Sequence, residues 1–234
     1  MWNPLSAGSF VLFDTEFTAW EGSWQRKWSG PCEHRELIQL SAVRVQRWGA
    51  SVRSAAQNPP RQRRDKELVV VDEVKITVRP VINPCLSGYI TELTGITNEE
   101  VTRDGVCFLD AMAQFEQFCG AGGSSAECAA VGSFGGDEDV LLENIDLAAQ
   151  RGTMGGEQFV AWLHAFHDVI PFFEACGVDR SRFSSGTLYR AFGIHTPPEI
   201  EARVHDSLWD VTSIFLCLKL LDDASACGWE WQIV

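Results

Sequence analysis

The chain has 234 residues, enough for one large domain or two small ones with a real core, and its 45% hydrophobic and 22% charged residues are ordinary for a globular protein. Its formal net charge of -13 argues against a broad polyanion-coating surface, but not against a narrow cleft where bound cations supply positive charge. No apolar run reaches the ~20 residues of a membrane span, and the N-terminus lacks a basic segment followed by an apolar one, so a cytoplasmic protein without a membrane contact is expected.

Residues 10–13 form an apolar, β-prone run that reads as a strand buried on both faces and continues into Asp14-Thr15-Glu16-Phe17-Thr18. In extended backbone Asp14 and Glu16, two apart, project to the same side. Paired carboxylates repel and are costly to bury unless a cation stands between them. They are therefore either a divalent-metal site or two surface acids at a strand mouth. Segment 19–35, rich in Trp and Gly, reads as a loop. Trp24 and Trp28 are expected to pack it onto the body, while Trp20, nearest the acids, either packs or stacks on a base.

Segments 36–47 and 69–81 read as the second and third strands, the latter with Lys75, Thr77 and Arg79 alternating against Val74, Ile76 and Val78. Between them, 49–68 is a polar, Pro-containing, locally basic hairpin or loop insertion, either solvated or a phosphate-contacting arm. Ser87 caps a short helix through Thr94 that Gly95 closes, Thr97 opens a second, and 108–119 has helical apolar spacing up to Gly120. A short buried strand over 127–134 runs into Gly135-Gly136-Asp137-Glu138-Asp139 and another helix. Those acids either complement the helix dipole or point over the sheet end. A strand is expected over 159–165, then a helix to Cys176 and another over 184–192.

In the last helix Leu208, Val211, Phe215, Leu218 and Leu221 recur at helical spacing, with Asp206 a good N-cap. His205 then sits just outside the helix and Asp210 within its first turns, so both can lean toward one cleft. The eight cysteines show no C-x-x-C or zinc-finger spacing, and reduced, mostly buried thiols are expected. No repeat or linker divides the chain, so 1–234 reads as a single domain.

Together, Asp14, Glu16, one acid from 137–139 and Asp210 make four carboxylates beside one histidine. Such hard oxygen donors suit Mg²⁺ or Mn²⁺, and two such ions about 3.5–4 Å apart clamp an in-line phosphoryl displacement. A neutral histidine takes the proton from the attacking water. The reaction class that fits is phosphodiester hydrolysis.

Four segments carry a more specific likeness: residues 13–20; residues 35–43; residues 76–101, through Arg79-Pro80, Asn83-Pro84, Leu86-Ser87 and Leu93-Thr94-Gly95-Ile96-Thr97; and Ser133-Phe134-Gly135 with Asp137, followed by His205 with Asp210. In order and spacing the chain resembles a DEDDh 3′–5′ exonuclease of the ribonuclease-H-like superfamily, in its histone-mRNA-exonuclease-like branch. The resemblance implies an α/β fold: a mixed five-stranded sheet flanked by helices. It also implies a metal-dependent enzyme with two Mg²⁺ or Mn²⁺ ions that shortens single-stranded RNA or DNA from the 3′ end, RNA favoured. Asp14, Glu16 and Asp210 would be metal ligands, Asp137 would complete the set partly through water, and His205 would be the general base. Phe17 and Trp20 would line the 3′-terminal nucleotide, and Leu93 would wedge against its base.

Asp137 is preferred to Asp139 because Val140 and Leu141, three and four residues on, give the following helix its packing face, whereas Asp139 has Leu142 and Glu143 there. Gln39 stands where relatives often carry an acid, and the 49–68 insertion departs from compact members. A non-catalytic nucleic-acid-binding relative, or a phosphodiesterase restricted to short oligonucleotides, are the alternative readings.

Overall fold

A computed structural model describes residues 1–49, 66–120, 130–227 and 233. The elements run in order β1 (Ser9–Phe17), α1 (Ser23–Arg26), β2 (Leu37–Gly49), β3 (Lys66–Thr77), α2 (Gly88–Thr94), α3 (Asn98–Arg103) and α4 (Phe108–Cys119). Then come β4 (Ala130–Ser133), α5 (Asp137–Gln150), α6 (Glu157–Leu163), β5 (His167–Asp168), α7 (Ile170–Ala175), a 3-10 helix (Ser185–Phe192), α8 (Pro198–Glu201) and α9 (Ser207–Cys227).

The five strands form one mixed sheet in the order β3-β2-β1-β4-β5. β1 pairs antiparallel with β2 and parallel with β4, so the acid-bearing strand is central. Its alternation explains that position. Phe10 and Leu12 join the core beneath α9 and α7, while Val11 and Phe13 join the core beneath α4, α5 and α6. All four are fully buried, and each contributes about 1.5–3 kcal/mol of burial. A third, smaller cluster of Ala19, Ile38, Leu86, Ile90, Ile96 and Val101 lies under the segment after β1, with Trp28, Tyr89 and Leu93 against it. Among the described residues no helix is long and apolar enough to cross a membrane.

Several sequence expectations meet the structure closely. The helix over 108–119 has the bounds of α4, with the Cys107 thiol accepting from the Asp110 N–H at 3.4 Å and Gly120 closing it at φ 79°. Ser87 caps α2 through the Ile90 N–H, and Gly95 ends it at φ 74°. Other expectations need correction. The strand expected over 159–165 is helix α6, because Phe159 and Leu163 bury one helical face; the edge strand β5 follows at His167–Asp168. β3 ends at Thr77, after which Val78 bridges Val106. The 184–192 helix is of 3-10 type. Cys32, Cys85 and Cys107 are exposed, unlike the buried Cys119 and Cys217. The basic insertion lies, over 50–65, outside the described residues.

Candidate metal and nucleic-acid site

The sheet delivers its acids to one end. Asp14 and Glu16 occupy the last turns of β1 and are 5% and 7% exposed. They share a face with Phe10 and Leu12, so they point toward the start of α9. Asp210, 3% exposed, comes from the first turns of that helix. The Asp206 carboxylate caps α9 by accepting the Leu208 N–H at 3.0 Å, and His205 stands just outside it at φ 73°. That left-handed backbone is strained for a histidine. It aims the His205 N–H at Asp210 Oδ1, 3.2 Å away. One ligand atom each from Glu16, His205 and Asp210 lie within 4.8 Å of one another.

Asp137 arrives from the other side of the sheet. β4 ends in Ser133, and the turn through Gly135, at φ 108°, leads directly into α5. Asp137 is the first residue of α5, where the helix dipole favours an acid. The backbone N–H and hydroxyl of Thr15 donate to its Oδ1 at 3.1 and 2.6 Å. Thr15 lies between the two acids of β1 and faces the opposite side, so the central strand holds ligands by its odd and even residues alike. Asp137 is 9% exposed, whereas Asp139 is exposed.

The electrostatics of the cluster are unfavourable without a cation. Burial, then the charges of Asp137, Asp210 and Glu16, push the Asp14 carboxyl well above its usual range. Burial followed by Asp210 and Asp137 does the same to Glu16, against which Lys75, ion-paired at 3.2 Å to Asp206, gives partial relief. Burial raises Asp137 and Asp210 to about 7 each, despite the Thr15 bonds to the first and the His205 and Ser185 bonds to the second. His205 is lowered from 6.5 by burial, which favours its neutral ring. Hard oxygen donors, buried and mutually repelling, match what a hard divalent cation relieves.

The expected substrate-facing residues belong to the end of β1, the segment after it and the helix α2 packed on that segment. Phe17 is half-buried against Trp28, ring centroids 5.6 Å apart, and Trp24 at 6.4 Å. The Arg35 guanidinium lies 5.9 Å from the Phe17 ring and 5.8 Å from that of Trp28, and ion-pairs with Glu143 at 2.7 Å. Trp28 packs down as expected, but Trp24 is 63% exposed and touches only the edge of this group. Trp20 is half-buried in a turn closed by Ser23, whose hydroxyl accepts the Trp20 N–H at 2.9 Å. Leu93 is half-buried on α2 against the third cluster. An open basin of about 650 Å³, lined by Trp24, Lys27, Trp28, Glu33 and Arg35 among others, adjoins Phe17 and includes none of the four carboxylates. Two polar residues went unnoticed in the sequence: Thr15, and Ser185, whose hydroxyl donates to Asp210 Oδ2 at 3.1 Å. The alternation of β1 would have found the first; nothing local marks the second.

No family model and no curated protein matches this sequence. Solved structures do. The nuclease domain of 3′hExo, a DEDDh family member bound to rAMP, matches at 18% identity and TM-score 0.59, over 97% of this chain and 96% of that one. Cell-death related nuclease 4 (CRN-4) matches at 16% identity and TM-score 0.62, over 97% and 66%. Escherichia coli exonuclease I in complex with single-stranded DNA matches at 15% identity and TM-score 0.56, over 94% of this chain but 42% of that one. At such identities the likeness is one of fold. The mixed sheet, its central acid-bearing strand and the flanking helices make this the fold of the DEDDh 3′–5′ exonucleases.

Proposed function

We propose that this protein is a divalent-metal-dependent exonuclease that hydrolyses phosphodiester bonds from the 3′ end of single-stranded nucleic acid, RNA in preference to DNA. One observation carries the reading: Asp14, Glu16, Asp137 and Asp210 come from one strand end and two helix starts and are buried together. The RNA preference rests on two of the similar structures, one bound to rAMP and one described as recognising a histone mRNA stem-loop.

Asp14, Glu16 and Asp210 would hold two Mg²⁺ or Mn²⁺ ions, with Asp137 completing the set partly through water. Bound there, such ions supply an activated water and stabilise the leaving oxygen. The protein's own part is proton transfer and positioning. His205, kept neutral by its half-buried setting, takes the proton of the attacking water at a ring nitrogen. Its backbone N–H orients Asp210 at the same time. Phe17 and Trp20 form one lip for the terminal nucleotide and Leu93 the other.

The experiment is direct. The purified protein is incubated with 5′-labelled single-stranded RNA and DNA, with Mn²⁺, Mg²⁺ or EDTA. A ladder shortening from the 3′ end is expected, faster on RNA, absent in EDTA and absent in Asp14→Ala. Intact nucleic acid in the presence of folded protein and metal overturns the reading. His205→Ala should lose turnover while keeping Mn²⁺ binding; loss of binding would make His205 a ligand rather than the base. A ladder retained by Asp137→Ala but lost in Asp139→Ala would overturn the choice of the fourth carboxylate.

A further inference from the structure

The 3-10 helix Ser185–Phe192 meets the site in an unusual way. Its second residue is Gly186, and a Cβ placed there would stand 2.2 Å from Asp210 Oδ1, 2.7 Å from Cγ and 2.9 Å from Oδ2. The backbone of this segment therefore lies flat against the Asp210 carboxylate, an approach only glycine permits. The segment is anchored from both sides. Ser184 and Thr187 form a capping box at its start, and the Trp209 indole N–H donates to the Gly186 carbonyl at 3.1 Å. Farther along, the Tyr189 N–H donates to the Ser213 hydroxyl at 3.2 Å. Trp209 and Ser213 both belong to α9, the helix that carries Asp210.

This anchoring brings the half-buried Ser185 hydroxyl to the Asp210 carboxylate. It donates to Asp210 Oδ2 at 3.1 Å. The other Asp210 oxygen is held by the His205 N–H at 3.2 Å. Each oxygen of Asp210 thus has one fixed donor. A hydroxyl has one proton to give and two lone pairs. It holds the carboxylate without adding charge to a cluster that already carries too much.

We propose that Ser185 is a positioning residue of this site: its hydroxyl on one oxygen, with the His205 N–H on the other, fixes the orientation in which the Asp210 carboxylate takes a divalent cation. Its role rests on the metal-site reading above. Neutral hydroxyls that orient ligand carboxylates typically account for 10–100-fold in metal affinity.

The test is calorimetric titration of the metal-free protein with Mn²⁺, with no nucleic acid present, for the wild type, Ser185→Ala, Ser185→Thr and Ser185→Val. Thr and Val share a shape and differ in the hydroxyl, so the pair isolates the hydrogen bond even if Ala disturbs the segment. The dissociation constant for Mn²⁺ should rise about 10–100-fold in the Ala and Val variants and stay near wild type in the Thr variant. The melting temperature of the metal-free protein should be close to wild type in all three. Wild-type Mn²⁺ affinity in the Val variant overturns the proposal while leaving the metal site standing, as does a loss of metal-free stability with unchanged affinity. Failure of the wild type to bind Mn²⁺ overturns the metal-site reading itself, and the proposal with it.

Discussion

Two sets of acids are buried at the same end of the sheet, and they are held in opposite ways. Glu36, just before β2, is 5% exposed, as is Asp14 on the neighbouring strand. Yet the Glu36 carboxylate accepts the backbone N–H groups of Val81, Ile82 and Asn83 at 2.6, 2.7 and 2.5 Å. It pins the 80–87 turn, whose Ser87 hydroxyl donates to the Ala19 carbonyl at 2.5 Å. Asp14, Glu16, Asp137 and Asp210 instead face one another, with a few hydroxyl and backbone donors at their outer edges. A buried acid that is fully hydrogen-bonded is part of the architecture. A group of buried acids that repel carries the strain that a bound cation would relieve.

The contrast breaks most visibly under mutation. Asp14→Asn or Asp210→Asn should cut metal-dependent nuclease activity by roughly 10³-fold or more, the scale of removing a catalytic group. The same variants should raise the melting temperature of the metal-free protein, because a repelling charge has gone. Glu36→Ala should do the reverse: a loss of about 2–4 kcal/mol as three buried N–H groups lose their acceptor, read as a fall in urea midpoint. If Asp14→Asn destabilises the metal-free protein as Glu36→Ala does, the distinction between the two sets of acids fails.

Proton linkage sharpens it further. Asp137 and Asp210 titrate near 7 in the folded protein against 3.8 ordinarily, so the folded state holds more protons between those values. Their contribution is fully present below pH 3.8 and is lost as pH rises through about 7. The metal-free melting temperature should therefore fall between pH 5 and 7.5, and Mn²⁺ should raise it more at pH 7.5 than at pH 5. An equal Mn²⁺ shift at both values would show that the carboxylates are already ionised without metal. The smallest effect is expected at Trp24→Ala: with the side chain 63% exposed, stability should change by no more than ~0.5 kcal/mol by urea titration.

Much of the fold could be read along the chain because it is local. The buried run before Asp14 has the composition of a central strand, and the caps at Ser87, Gly95, Gly120 and Asp206 are short-range chemistry between neighbouring residues. Segment 159–165 was misleading for a physical reason. Its aromatic and β-branched residues satisfy a strand's composition, but Phe159 and Leu163 lie one helical turn apart and the core beneath α5 takes them from a helix. Trp24 misled in the other direction: it was expected to pack its loop onto the body, but it stays 63% exposed while Trp28 and the Arg35 guanidinium lie nearer Phe17.

By itself, the sequence determined the order of the motifs, the central strand with its paired acids, and the placing of His205 outside a capped helix. Each depends on spacing or on contacts within a few residues. Only the tertiary structure decided which groups meet. Thr15 holds Asp137 across 122 positions and Ser185 reaches Asp210 across 25, distances over which no sequence periodicity acts. The same holds for Glu36, an unremarkable acid in the sequence: its neutralising partners are backbone N–H groups brought to it by a turn 45 residues away. Whether a carboxylate is architecture or site is set by which donors the fold brings to it, and that is a property of packing.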